Sequence, residues 1–288
     1  MTDSSNRRLR ELLRQRKAVL LPGAANALAA RVIEDLGFQA IYVTGAGVTN
    51  TFLGMPDIGL MSVTELAAHV AAMREVVALP LIVDADTGFG NAINVARTVQ
   101  ILERSGANAI QLEDQDFPKR CGHFSGKSVI PREEMVQKIH AAVDARNDPD
   151  LVIMARTDAI AVNGFDDAME RAVAYIEAGA DMTFVEAPRS KEQIADIPKR
   201  LPVPQLINIV AGGLTPMIPL DELERMGFAM VLYANAALQA SVAGMQKVLG
   251  HLKANGSLAG VANELASFDE RQRLVQKPHF DALEKKYS

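Results

Sequence analysis

Asp84 and Asp86 stand two residues apart in DADTGFG. Further along come Glu113 and Asp114 in IQLED, Arg156 and Asp158 in MARTD, Glu186 in FVEA and Asn208 in QLIN, with Thr44 ahead of them all in YVTG. Each closes a short apolar run. On an extended strand, side chains two residues apart point to the same side, so Asp84 and Asp86 are expected to present paired carboxylates. With Glu113 from the next such run, that donor set suits a hard divalent cation, Mg²⁺ or Mn²⁺, which takes oxygen ligands and keeps several waters. Four or more acidic groups gathered together would repel one another, and a cation relieves that cost. An aspartate before a glycine loop also serves as a turn or cap residue. Arg156 offers a planar fork for a substrate carboxylate, while its pairing with Asp158 is also what a stabilising ion pair at a rim looks like.

The stretch KRCGHFSGK, residues 119–127, holds the single cysteine of the chain. Lys119, Arg120 and a protonated His123 favour the thiolate of Cys121, and such a group moves a proton or acts as a nucleophile. A small buried hydrophobe, the structural alternative, fits poorly between charged neighbours. Gly122 and Gly126 give the loop freedom to fold over a ligand. One cysteine and one histidine at this spacing do not make a zinc site.

Positioning these residues requires a framework, and a repeated phrase in the chain supplies it. In EDLGFQAIYVTG, ERSGANAIQLED, IEAGADMTFVEA and ERMGFAMVLYAN a helical end reaches glycine, and an apolar run follows that closes on a polar residue. Four further runs, at 18–24, 80–88, 150–158 and 204–213, bring the candidate strands to eight. Continuous apolar runs suit strands buried on both faces, and the intervals carry apolar residues at three- and four-residue spacing, the helical period. Eight strands alternating with helices predict an α/β fold, a (β/α)8 TIM barrel. The first strand–helix turn, LPGAANALAA, lacks the phosphate cradle of a dinucleotide fold. No linker divides the chain, so one domain over 1–288 is expected, with the barrel core at about 18–238 and a helical extension over 239–288. In such barrels chemistry occupies the C-terminal ends of the strands, where all the polar closers fall.

Composition narrows the function class. The 288 residues are 49% hydrophobic and 23% charged, with net charge -5, which gives no basic footprint for nucleic acid. No apolar run reaches the ~20 residues of a membrane span. A lone cysteine fits a reducing compartment, and a cytoplasmic location is expected. The Arg-rich N-terminus reads as an amphipathic surface helix packing through Leu9, Leu12 and Leu13, with a transit peptide as the alternative.

The combination of DADTGFG, IQLEDQ, KRCGH, MARTDA and the strand ending in Glu186 resembles the isocitrate lyase and phosphoenolpyruvate mutase superfamily. Within it the similarity is to the 2-methylisocitrate lyases and the dimethylmalate-type lyases. The resemblance implies a small-molecule carboxylate as substrate and Cys121 as proton donor, assisted by His123 and Arg156. It implies Asp84 and Asp86 as metal-site aspartates, with Asp57 and Glu113 nearby through water. Thr44, Gly45 and Ala46 would cradle the oxo-acid carboxylate, Tyr42 would lie near the reacting oxygen as a candidate base, and Lys119, Gly122, Glu186 and Asn208 would complete the substrate wall. It also implies homotetramers that exchange a C-terminal helix between subunits.

Methylisocitrate lyases carry a threonine–glutamate–phenylalanine run after the asparagine of the seventh strand, where this chain has Val210, Ala211 and Gly212. Fewer polar partners there argue against a third carboxylate. The expectation is a carbon–carbon lyase taking a 2,3-dimethylmalate or alkylmalate to pyruvate and a saturated acid, with 2-methylisocitrate second and oxaloacetate hydrolysis or decarboxylation third. A Schiff-base aldolase is disfavoured because no strand end carries lysine, and a non-catalytic barrel leaves the cationic cysteine loop unexplained.

Overall fold

The computed structural model describes residues 5–120, 126–210 and 212–288. Eight parallel strands close into a barrel in chain order: β1 Val19–Ala24, β2 Ile41–Val43, β3 Leu81–Asp84, β4 Ala109–Glu113, β5 Val152–Thr157, β6 Met182–Val185, β7 Gln205–Asn208 and β8 Met230–Tyr233. All eight expected strands are present, and β8 returns to pair with β1, Val19 opposite Met230. The glycine of each repeated phrase, at positions 37, 106, 179 and 227, has φ between 82° and 103°. That is the left-handed region where a helix can stop and the chain turn into the next strand.

One apolar cluster fills the barrel interior with Leu21, Tyr42, Ile82, Met154, Phe184, Leu206 and Leu232. The helix Ser5–Gln15 joins this cluster through Leu9, Leu12 and Leu13, all buried at i, i+3 and i+4. The three leucines pack as the amphipathic reading expected, and through them the helix closes the N-terminal end of the barrel. Burial of each leucine contributes about 1.5–3 kcal/mol. Outside the strands, the helices of the repeat pack two further clusters against the sheet. With one end plugged and the wall covered, the C-terminal mouth is where polar side chains gather.

Beyond β8 the packing changes. The helix Ala236–Asn255 runs for 20 residues and buries only Val248, and the helices Phe268–Leu274 and Lys277–Tyr287 bury nothing. Among the described residues no helix is long and apolar enough to cross a membrane.

Candidate active site at the barrel mouth

The polar residues at the strand ends converge. Tyr42, Thr44, Ala46, Asp57, Asp84, Glu113, Lys119, Arg120, Arg156, Glu186 and Asn208 line one pocket, together with Val210, Leu232, Ala234 and Asn235. Thr44 directly follows β2 and caps a short helical turn at Gly45–Val48, accepting from Gly47 N at 3.2 Å.

Asp84 is the last residue of β3, and the backbone leaves the strand directly after it. Asp86 has φ of 48°, so the expected extended pair is corrected: the carboxylates do not share a strand face. They meet through the turn. Asp86 N donates to Asp84 Oδ1 at 3.2 Å, and Gly45 faces both carboxylates, where a Cβ would come within 3.2 Å of Asp84 Oδ2 and of Asp86 Oδ1. A left-handed aspartate costs of order 1 kcal/mol or more, and such outliers cluster at functional sites.

Lys119 sits among these acids. Its ammonium is hydrogen-bonded to Asp57 Oδ1 and lies 2.7 Å from Asp86 Oδ1, with the side chain only 4% exposed. It was expected to face the substrate; it lines the pocket but its charge is directed to the two aspartates. Burial opposes the charge on Lys119, yet Asp86, Glu113 and Asp57 outweigh burial and hold the amine well above the ordinary lysine value. The carboxyl of Asp86 is pushed up to about 6 by burial, with Lys119 pulling the other way.

Glu113 ends β4 and Arg156 lies on β5 directly beside it in register. Their closest approach is 3.3 Å between Arg156 Nε and Glu113 Oε2, while Glu113 Oε1 is buried without a hydrogen-bond partner among the described residues. Burial raises the Glu113 carboxyl well above the usual carboxylate range, against the pull of Arg156. Arg156 also forks onto Asp158 at 2.8 and 3.1 Å and lies 5.0 Å over the Phe184 ring. The rim ion pair and the pocket cation are thus one residue.

A buried hydrogen-bond chain escaped the reading of the sequence. The Tyr42 hydroxyl donates to Gln111 Oε1 at 2.8 Å, and Gln111 Nε2 donates to Asp84 Oδ1 at 3.0 Å. The signal was available, because Gln111 is the one polar residue inside the apolar run AIQLE. Burial, then Asp84, raises the Tyr42 hydroxyl well above its ordinary value. The hydroxyl expected near the reacting oxygen lines the pocket and donates its proton to Gln111.

Cys121, Gly122 and His123 lie outside the described residues, as does Ala211. On the N-terminal side of the cysteine, the Gln115 side chain bonds both the N–H and the C=O of Arg120, at 2.9 and 2.8 Å. Gln115 also bridges to Val129.

Among the described residues no three His, Cys, Asp or Glu side chains converge as a protein-only metal cage. The expected four-acid set is divided: Asp57 and Asp86 share Lys119, Glu113 faces Arg156, and Asp84 is bonded to Gln111. The donor set still fits a hydrated magnesium-type ion, which binds through one or two carboxylates and keeps its waters. Asp84 and Asp86, converging on the gap beside Gly45, offer two such carboxylates.

The barrel thus gathers buried carboxylates, an arginine and an asparagine in one pocket at its mouth. The chain belongs to the phosphoenolpyruvate phosphomutase family, whose model matches residues 9–253, within the isocitrate lyase superfamily. It is an enzyme, a carbon–carbon lyase of that superfamily. It is 44% identical to the 2,3-dimethylmalate lyase of Eubacterium barkeri over 281 residues, covering 98% of this chain and 97% of the relative. It is 45% identical to the 2-methylisocitrate lyase of Aeropyrum pernix over 267 residues, 93% of this chain and 86% of the relative. Among solved structures, oxaloacetate acetylhydrolase with 3,3-difluorooxalacetate matches at a TM-score of 0.93 and 34% identity, covering 99% and 98% of the two chains. Phosphonopyruvate hydrolase, solved with oxalate and Mg²⁺, matches at 0.89 and 31%, covering 99% of each.

Proposed function

We propose that this lyase is Mg²⁺-dependent and cleaves the C2–C3 bond of a 2,3-dimethylmalate or related alkylmalate, giving a 2-oxo acid, which is pyruvate where C2 carries a methyl group, and a saturated carboxylic acid. The observation that carries the substrate assignment is the apolar side of the pocket. Val210, Leu232 and Ala234 line it together with Arg156, Glu186 and Asn208, and these apolar side chains suit an alkyl-bearing dicarboxylate better than a third carboxylate. The likeness to a 2-methylisocitrate lyase supports that substrate as the second reading.

Bound Mg²⁺ would supply chelation of the substrate's carboxylate and hydroxyl and offset the charge on that oxygen. Asp84 and Asp86 would hold it, with Asp57 and Glu113 behind water. Thr44, with Gly45 and Ala46 on the turn it caps, orients the carboxylate of the pyruvate half. The Tyr42 hydroxyl gives its proton to Gln111, leaving its oxygen to accept a hydrogen bond from the substrate hydroxyl that becomes the keto group. When the C2–C3 bond breaks, its electron pair goes to C3 as the enolate of a carboxylate, and the hydroxyl proton leaves to a base. Arg156 stabilises that charge, and Cys121 delivers a proton to C3 with His123 alongside. Atoms balance, because one proton leaves oxygen and one reaches carbon.

We also propose a homotetramer in which the C-terminal extension packs on a neighbouring copy. On the helix Ala236–Asn255, Val242, Met245, Leu249 and Leu252 are 38–58% exposed, and Phe268, Phe280 and Tyr287 follow at 56–76%. A helical arm this apolar with almost no core of its own calls for a partner surface.

The test is a coupled pyruvate assay over 2,3-dimethylmalate, 2-alkylmalates, 2-methylisocitrate and oxaloacetate with Mg²⁺. Higher kcat/KM on the malates supports the assignment. Preference for methylisocitrate moves it to the second reading.

A further inference from the structure

Asp158 takes two cations on one buried carboxylate. Arg156 forks onto it, Nε to Oδ2 at 2.8 Å and Nη2 to Oδ1 at 3.1 Å, while Lys127 Nζ reaches the same Oδ1 at 2.6 Å. The Lys127 and Asp158 side chains are 2% and 0% exposed. The site itself does not use Lys127. It stands at the far end of KRCGHFSGK, just before a pairing in which Asp116 N donates to Ser128 O and Ile130 N to Asp114 O.

Asp158 is held from behind. Its N–H donates to Asp114 Oδ1 at 2.9 Å, and Asp114 Oδ2 accepts from Thr157 Oγ1 at 2.7 Å and from Tyr175 OH at 2.8 Å. Arg171 lies 3.4 Å from Asp114 and donates to Ile130 O at 2.9 Å. The carboxylate of Asp158 therefore cannot follow either cation, and its position is set by the barrel wall.

We propose that Lys127 and Asp158 are positioning residues for Arg156: Lys127 offsets the charge of Asp158, which aims the Arg156 fork without consuming its positive charge. An arginine paired to an unshared buried carboxylate is close to a neutral unit, and its pull on a second anion is weak. Lys127 on the same oxygen adds one positive charge to the group formed by Arg156, Asp158 and Glu113, so Arg156, which also faces Glu113 at 3.3 Å, pulls more strongly on an anion in the pocket than it would without Lys127. The segment bearing the proposed proton donor thus brings in, six residues after Cys121, the cation that sets the substrate-binding arginine. This rests on the proposed role of Arg156 as an anion-binding residue of the lyase site.

The experiment measures binding of pyruvate and of oxalate by titration calorimetry with Mg²⁺ present, so it does not depend on turnover. Lys127→Met is expected to weaken both roughly tenfold, a coupling of ordinary size. Lys127→Arg is expected to restore affinity to within about threefold, and Lys127→Gln serves where methionine leaves an unfolded chain. If Lys127 acts through Asp158, the double variant K127M/D158N binds no more weakly than the weaker single variant. A purely structural role predicts lower melting temperature with unchanged affinity in the folded fraction, and that result overturns the inference, as does a double variant whose losses multiply. A wild-type protein that binds neither anion refutes the reading of the site, and this inference falls with it. Binding that responds as expected but without turnover of any malate refutes the substrate assignment alone.

Discussion

If Asp86 holds the proposed cation, it ties cation binding to pH, and the size of the link follows from its surroundings. Without a cation, burial raises its carboxyl from 3.8 to about 6, despite Lys119 at 2.7 Å. The folded protein then holds a proton on Asp86 that the unfolded chain releases between about pH 4 and 6. Stability therefore falls as pH rises through that window, by on the order of 3 kcal/mol. A divalent cation beside Asp86 takes the place of that proton. Binding should release close to no proton at pH 8, about half a proton at pH 6 and about 0.9 at pH 5. Affinity at pH 5 should be roughly tenfold weaker than at pH 8, since pH 5 lies one unit below the Asp86 value. Calorimetric titration with Mn²⁺ in two buffers of different ionisation enthalpy counts the protons directly. Asp86→Asn should bind weakly at every pH and lose the dependence. Wild-type affinity that stays flat between pH 5 and 8, with no proton release, would refute the reasoning.

Other consequences are open to equally direct tests. Cys121→Ser should lower kcat by at least about a hundredfold while leaving Mg²⁺ and pyruvate affinity within a few-fold, checked by steady-state kinetics and calorimetry. Asp158, drawn to about 2 by Arg156 and Lys127 against the upward effect of burial, contributes stability that is full above about pH 4 and lost between 4 and 2. Acid unfolding of D158N, followed by circular dichroism, should be shallower across that window than that of the wild type. Truncation after Asn255 should reduce the assembly seen by light scattering, because Phe268, Phe280 and Tyr287, proposed to pack on a neighbouring copy, are removed.

The barrel was legible because its physics is local. A strand buried on both faces must be a continuous apolar run, a positive-φ glycine must end the preceding helix, and the residue that emerges at the mouth must be polar. Thr44, Asp84, Glu113, Arg156, Glu186 and Asn208 were therefore found by position alone, and the pocket contains all six. Partner choice was not local. Lys119 reaches Asp57, 62 residues away, and Lys127 reaches Asp158, 31 residues away, through contacts that no spacing rule encodes. Asp86 also departed from expectation, since its pairing with Asp84 depends on a left-handed turn rather than on strand alternation. Gln111 was visible as a polar residue within β4, yet only the closed barrel turns it toward both Tyr42 and Asp84.

Product analysis in D₂O tests the central claim most directly. After turnover of 2,3-dimethylmalate with Mg²⁺, proton NMR should show pyruvate and propionate in equal amounts, with one deuterium on the propionate carbon that bore the broken bond. Oxalate or carbon dioxide from oxaloacetate, with no pyruvate from any malate, would contradict the account.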